Sequence, residues 1–101
     1  MKTVKDVKHI VIAGAGTMGS SMGETFAKYG YDVTLYDVFP EALKKAENLI
    51  RLNQETELTE HIVTAEESAA LLQRISYSED KSCFQRADMV VEAILEKLDV
   101  K

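Results

Sequence analysis

Short apolar runs alternate with longer amphipathic stretches along this chain. Four apolar runs have the length and β-branched content of strands, at residues 8–13, 32–36, 75–78 and 89–94. Apolar residues recur at helical spacing in residues 17–29, from residue 40 into the low fifties, and in residues 65–73. One or two helical turns fit residues 80–86, whereas the polar stretch 53–60 favours no element clearly.

Residues that begin and end helices support these boundaries. Gly30 stands where a helix C′ residue belongs, and Pro40 stands where a missing N–H costs nothing. Thr64 and Glu67 have the spacing of a capping box ahead of the third helix.

Strands that alternate with helices predict an α/β domain on a parallel sheet. Right-handed crossovers place the four strands in the order 3-2-1-4, which is part of a Rossmann-type doubly wound sheet. We expect residues 1–101 to form one domain, with its ligand beyond the carboxyl ends of the first and fourth strands.

The first strand runs straight into a Gly-x-Gly-x-x-Gly turn and then a helix. Gly14 allows the tight turn, Gly16 lets a pyrophosphate approach the backbone, and Gly19 lets the helix lie close to the strand. The helix begins at Thr17 and Met18, where free N–H groups and the positive end of the dipole favour phosphate. This context predicts a dinucleotide site, with a merely Gly-rich turn as the alternative. A Met at an apolar helix position more commonly fills the core, which is the alternative for Met18.

An acid, Asp37, ends the second predicted strand, 18 residues after Gly19. A carboxylate there accepts hydrogen bonds from the adenosine ribose hydroxyls and repels a 2′-phosphate. No Lys or Arg follows directly, so the sequence favours NAD over NADP as the cofactor. The alternative is an acid that interacts only with the following helix dipole.

Further charged residues cluster near the last predicted strand. Glu92 lies within it, either as a site acid or as a hydrogen-bonded structural carboxylate. Glu96 follows its carboxyl end, and Lys101 lies five residues further on. Spacing alone favours a solvated surface charge for both.

No residue in the chain is a candidate catalytic base. His9 begins the first strand at the edge opposite the predicted site, and His61 lies in a polar segment, so both are assigned to structure or surface. No metal-ligand cluster and no nucleophile motif occur in the sequence.

Composition narrows the class of protein. A net charge of −5 without a basic block argues against nucleic acid and anionic membranes as partners. No apolar run approaches the roughly 18 residues of a membrane span. A single cysteine, Cys83, excludes an internal disulfide and fits a reducing compartment, so we expect a cytoplasmic protein in which Cys83 is structural.

Three segments of the chain resemble the 3-hydroxyacyl-CoA dehydrogenases, which include bacterial 3-hydroxybutyryl-CoA enzymes. Residues 8–20 and 30–37 are similar to the start of these proteins, although 6-phosphogluconate and 3-hydroxyisobutyrate dehydrogenases share the Gly-x-Gly-x-Met-Gly turn. Residues 87–101 are similar to the family signature Asp-x-Val-x-Glu-Ala-x-x-Glu-x-x-x-x-Lys. The resemblance implies that Glu96 and Lys101 contact the nicotinamide half of NAD.

The resemblance also implies a function and an architecture. It implies hydride transfer between NAD and the 3-hydroxyl carbon of a 3-hydroxyacyl-CoA, a place in fatty acid metabolism, and homodimers formed through a helical domain. The family's catalytic His–Glu pair follows the part of the family matched here, so residues 1–101 alone are expected to be inactive. A Ser that touches CoA in some members is not reproduced around Leu52 and Asn53. Alternatives are therefore a dehydrogenase of a free 3-hydroxy or keto acid, with a catalytic Lys in the 3-hydroxyisobutyrate type, or a non-catalytic NAD-binding module.

Overall fold

A four-stranded parallel sheet in the order β3-β2-β1-β4 forms the centre of the molecule and confirms the predicted topology. A computed structural model describes residues 7–93. The strands are β1 (His9–Ala13), β2 (Asp32–Tyr36), β3 (Ile75–Ser78) and β4 (Met89–Glu92). The helices are α1 (Thr17–Lys28), α2 (Pro40–Thr59) and α3 (Ala65–Arg74), and a 3₁₀ helix spans Lys81–Arg86.

Strand β1 is buried on both faces, as a central parallel strand should be. Its residues Ile10 and Ile12 pack in the larger apolar cluster, beneath α1, α2 and α3. Val11 points the other way and packs with Tyr36 and Cys83 under the 3₁₀ helix. Because side chains alternate along a strand, one five-residue run supplies both halves of the core. Cys83 is buried, as the structural interpretation predicted.

Helix α2 is longer than the sequence predicted, because it continues into the polar stretch 53–60 and ends at Thr59. Gln54 occupies a core-facing position in this stretch and is buried. Its amide donates to Glu24 at 2.6 Å and accepts from the Ser68 hydroxyl at 2.9 Å. A polar residue at a core position interrupted the apolar pattern, which is why the pattern ended too early.

The other element boundaries in the structure differ from the predicted ones by less than the end of α2 does. Thr64 and Glu67 form the predicted capping box at the start of α3. Helix α1 ends at Lys28, one residue earlier than predicted, and Tyr29 is exposed. Strand β4 ends at Glu92, and residue 94 lies outside the described residues. In the described part of the chain, no helix is both long enough and apolar enough to span a membrane.

Candidate functional site

The turn after β1 is held against the neighbouring strand β2. Gly14 adopts φ 110°, a left-handed conformation that favours glycine, and its N–H donates to the Tyr36 carbonyl at 2.8 Å. The chain thereby reverses at the carboxyl end of β1 and enters α1 within three residues. The start of α1 thus lies at the predicted switch point of the sheet.

Gly16 is the N-cap of α1, and no side chain caps the helix there. A Cβ built on Gly16 would meet nothing within 4 Å, so open space adjoins this backbone. Thr17 and Met18 are also exposed, so the alternative that Met18 fills the core does not apply. An uncapped helix start that faces open space is the arrangement a pyrophosphate group requires.

Gly19 makes the opposite kind of contact. A Cβ at this position would overlap the carbonyl oxygen of Gly14 and lie 3.5 Å from the Ala93 Cβ. Gly19 therefore allows α1 to approach the turn itself and the end of β4. Gly23, one turn later, lies over β1 and β2, where a Cβ would be 3.2 Å from Leu35 Cδ2.

Asp37 lies just beyond β2 and accepts two backbone hydrogen bonds. One carboxylate oxygen accepts from the Ala15 N–H at 3.0 Å, and the other accepts from the Phe39 N–H at 3.0 Å. The side chain is half-buried beside the turn. A carboxylate has about four acceptor positions, so Asp37 keeps capacity for the hydroxyls of a ribose.

An apolar groove of about 260 Å³ lies next to Asp37. The carboxyl ends of β1 and β2 line it, together with Asp37 and the two residues that follow: Ala13, Gly14, Tyr36, Asp37, Val38 and Phe39. Val38 and Phe39 are 57% and 66% exposed, and they lie next to each other in this lining. The sequence analysis missed this groove, although two apolar residues directly after the acid were a signal for it.

The other residues that the sequence analysis singled out are Glu92, Glu96, Lys101 and the two histidines. Glu96 and Lys101 fall outside the described residues, so their contact with nicotinamide stays a prediction. The side chain of Glu92 is exposed and has no hydrogen bond to another side chain or backbone group within residues 7–93, so a role as a site acid or as a structural carboxylate stays a prediction. His9 Nε2 lies 2.8 Å from Thr34 Oγ1, away from the turn, and His61 is exposed after α2.

A larger cavity, of about 430 Å³, lies away from this edge of the sheet. Its lining includes Lys28, at the end of α1, and Arg74, at the end of α3. Both helices end beside the amino edge of the sheet, and Arg74 donates to the Ala27 carbonyl there. Size therefore does not identify the site, whereas the turn, Asp37 and the apolar groove lie together at the carboxyl edge.

Comparison with known proteins agrees with this geometry. Over 95% of its length, the chain is 35% identical to the 3-hydroxyadipyl-CoA dehydrogenase of Escherichia coli (strain K12), of which it covers 20%. It is 34% identical to a probable 3-hydroxybutyryl-CoA dehydrogenase of Bacillus subtilis (strain 168), again over 95% of the chain and over 33% of that relative.

A solved structure shows the same fold. The crystal structure of 3-hydroxybutyryl-CoA dehydrogenase from Escherichia coli K12 matches with a TM-score of 0.86 and 35% identity, over 93% of this chain and 20% of that one. The chain thus spans between a fifth and a third of the length of these proteins. The family model described as "3-hydroxyacyl-CoA dehydrogenase, NAD binding domain" matches residues 9–101. The chain belongs to this family of NAD-binding domains.

Proposed function

We propose that the protein carrying this chain is an NAD-dependent 3-hydroxyacyl-CoA dehydrogenase. It transfers a hydride between NAD and the 3-hydroxyl carbon of a 3-hydroxyacyl-CoA. The observation that carries the proposal is the uncapped start of α1 at Gly16, which lies beside the Asp37 carboxylate at one edge of the sheet. The names of the relatives support the CoA-linked substrate class.

The described residues supply binding and orientation in this proposal. The N–H groups at the start of α1, from Gly16, Thr17 and Met18, hold the pyrophosphate. Asp37 accepts from the adenosine ribose hydroxyls, and the adenine ring lies in the adjoining apolar groove. Bound NAD supplies the hydride acceptor.

The nicotinamide half of the cofactor extends toward the end of β4 in this proposal. Glu96 and Lys101 lie along the chain beyond that strand, and we assign them to contacts with the nicotinamide half. The base that takes the hydroxyl proton comes from outside residues 7–93, since the two histidines of that part lie away from the turn.

The test is an assay of the full-length protein with NAD and 3-hydroxybutyryl-CoA, followed by the absorbance of NADH. We expect turnover with the CoA ester and little with free 3-hydroxybutyrate. The reverse preference would favour a free-acid dehydrogenase. Binding of NADH without turnover on either substrate would instead favour a non-catalytic module. Residues 1–101 made alone should show no turnover, and activity in that fragment would place a catalytic residue within it.

Compartment and assembly belong to the same proposal. We place the protein in the cytoplasm, which the single buried Cys83 supports, and we assign it a homodimer formed through a helical domain. Cell fractionation tests the first assignment. Light scattering on the full-length protein tests the second, and a monomeric mass would contradict it.

A further inference from the structure

A small cavity of about 160 Å³ lies between the Gly-rich turn and helix α2. The turn and the first helical turn of α1 line one side, and the first half of α2 lines the other: Ala15, Gly16, Thr17, Ser20, Ala42, Lys45, Ala46 and Leu49. The cavity thus adjoins Gly16, the residue whose missing side chain leaves space for a pyrophosphate.

Lys45 is the one charged residue in this lining, and no carboxylate lines the cavity. Ser20 is buried, and its hydroxyl donates to the Gly16 carbonyl at 2.8 Å, so it is already committed within the protein. The charge of the cavity therefore comes from the ammonium group of Lys45, together with the positive end of α1. Both favour an anionic ligand.

Within residues 7–93, Lys45 forms no ion pair. Further along α2, Arg51 pairs with Glu47 at 3.1 Å, so a carboxylate of this helix does engage a neighbouring cation. Lys44 is exposed as well, but it does not line the cavity. These two adjacent lysines have the same chemistry and differ in their position relative to the turn.

We infer that Lys45 is a further cofactor-binding residue, whose ammonium group stabilises the pyrophosphate of NAD bound at the turn. The inference rests on the proposed function, because it takes the ligand at Gly16 to be NAD. Lys45 acts on the charge of the cofactor rather than on its adenine or ribose. Its contribution is therefore expected to weaken as salt concentration rises.

The test compares Lys45→Gln with Lys44→Gln and with Lys45→Arg in the full-length protein. At low salt, Lys45→Gln should weaken NADH binding about two- to fivefold, the range for one exposed charge interaction. Lys44→Gln and Lys45→Arg should bind NADH as the unaltered protein does. At high salt the difference should disappear, and binding of adenosine, which has no phosphate, should be the same in all variants. Thermal unfolding confirms that each variant is folded.

Three results would overturn the inference. The first is equal NADH affinity in Lys45→Gln and Lys44→Gln. The second is a loss of adenosine binding in Lys45→Gln as large as its loss of NADH binding. The third is a changed KM of Lys45→Gln for the CoA ester with unchanged NADH affinity. The last would assign Lys45 to the substrate rather than the cofactor. Failure of the unaltered protein to bind NADH would instead contradict the proposed function, so the two failures are distinguishable.

Discussion

The carboxylate of Asp37 accepts a hydrogen bond from the backbone N–H of Ala15 at 3.0 Å, across 22 residues of sequence. Its second oxygen accepts from the N–H of Phe39 at 3.0 Å. One side chain therefore joins the Gly-rich turn to the connection between β2 and α2. In the proposed complex, the acid that binds the ribose also fixes the turn that binds the pyrophosphate.

Replacing Asp37 by Asn should weaken NADH binding about ten- to a hundredfold, the loss expected for a charged hydrogen bond of about 1.5–3 kcal/mol. The unaltered protein should bind NADH more tightly than NADPH by a similar factor, and the variant should lose most of this preference. Calorimetry with both cofactors measures both effects. Asp32→Asn is the matched control, since Asp32 is exposed at the opposite end of the same strand. Equal NADH affinities in Asp37→Asn and Asp32→Asn would contradict the assignment of Asp37 to the ribose.

Gly16→Ala should impair binding without unfolding the protein. Gly16 has an ordinary φ of −76°, and a Cβ there meets nothing within 4 Å, so we expect a change in stability below about 1 kcal/mol. The methyl group would occupy the space of the pyrophosphate, and NADH affinity should fall by more than about tenfold. Fluorescence titration with NADH measures this, with Ser21→Ala on the exposed side of α1 as control. Normal binding by the variant would show that the pyrophosphate lies elsewhere.

Gly19→Ala should act on stability instead. Its methyl group would overlap the Gly14 carbonyl oxygen, which is backbone and moves only if the turn moves. We expect a loss of about 3 kcal/mol or more, at the upper end for overpacking. Gly23→Ala should cost less, about 1 kcal/mol, because its nearest neighbour is the end of the Leu35 side chain at 3.2 Å. Urea denaturation of both variants tests this order, and equal losses would contradict it.

The sequence predicted features that depend on local patterns. The four strands, their order and the turn at Gly14 follow from apolar runs, crossover handedness and glycine spacing. The end of α2 did not follow, because the bonds that let Gln54 be buried come from Glu24 and Ser68, which are distant in sequence. The exposure of Phe39 was missed for a related reason. The type of an apolar side chain does not tell whether it lines an open groove or fills the core.

Gln54→Leu should destabilise the protein by about 1–3 kcal/mol, despite adding an apolar group to the interior. The change removes the donor to Glu24 and the acceptor of the Ser68 hydroxyl, and Ser68 is itself buried. Asn53→Leu is the control, since Asn53 also donates to Glu24 but is exposed, and its loss should stay below about 0.5 kcal/mol. Chemical denaturation measures both. An unchanged stability in Gln54→Leu would mean that this network contributes nothing net to the packing of the three helices.

Tyr77 on β3 should make the stability of the protein depend on pH in the alkaline range. Burial of the side chain, and next the charge of Glu47, raise the pKa of Tyr77 from 10.0 to about 12. Because the folded pKa lies above the unfolded value, the unfolded state loses its proton first as the pH rises. The contribution of Tyr77 to the free energy of unfolding is thus fully present below pH about 10 and is lost as the pH rises to about 12.

Tyr77→Phe removes the ionisable hydroxyl, so its free energy of unfolding should fall less steeply between pH about 10 and about 12 than that of the unaltered protein. Urea denaturation at a series of pH values measures the two slopes. Tyr29→Phe serves as the control for the substitution itself, because Tyr29 is 76% exposed. Parallel curves for the unaltered protein and Tyr77→Phe would show that Tyr77 ionises equally well in the folded and unfolded states. That result would contradict the raised pKa that the partial burial of Tyr77 and the nearby charge of Glu47 produce.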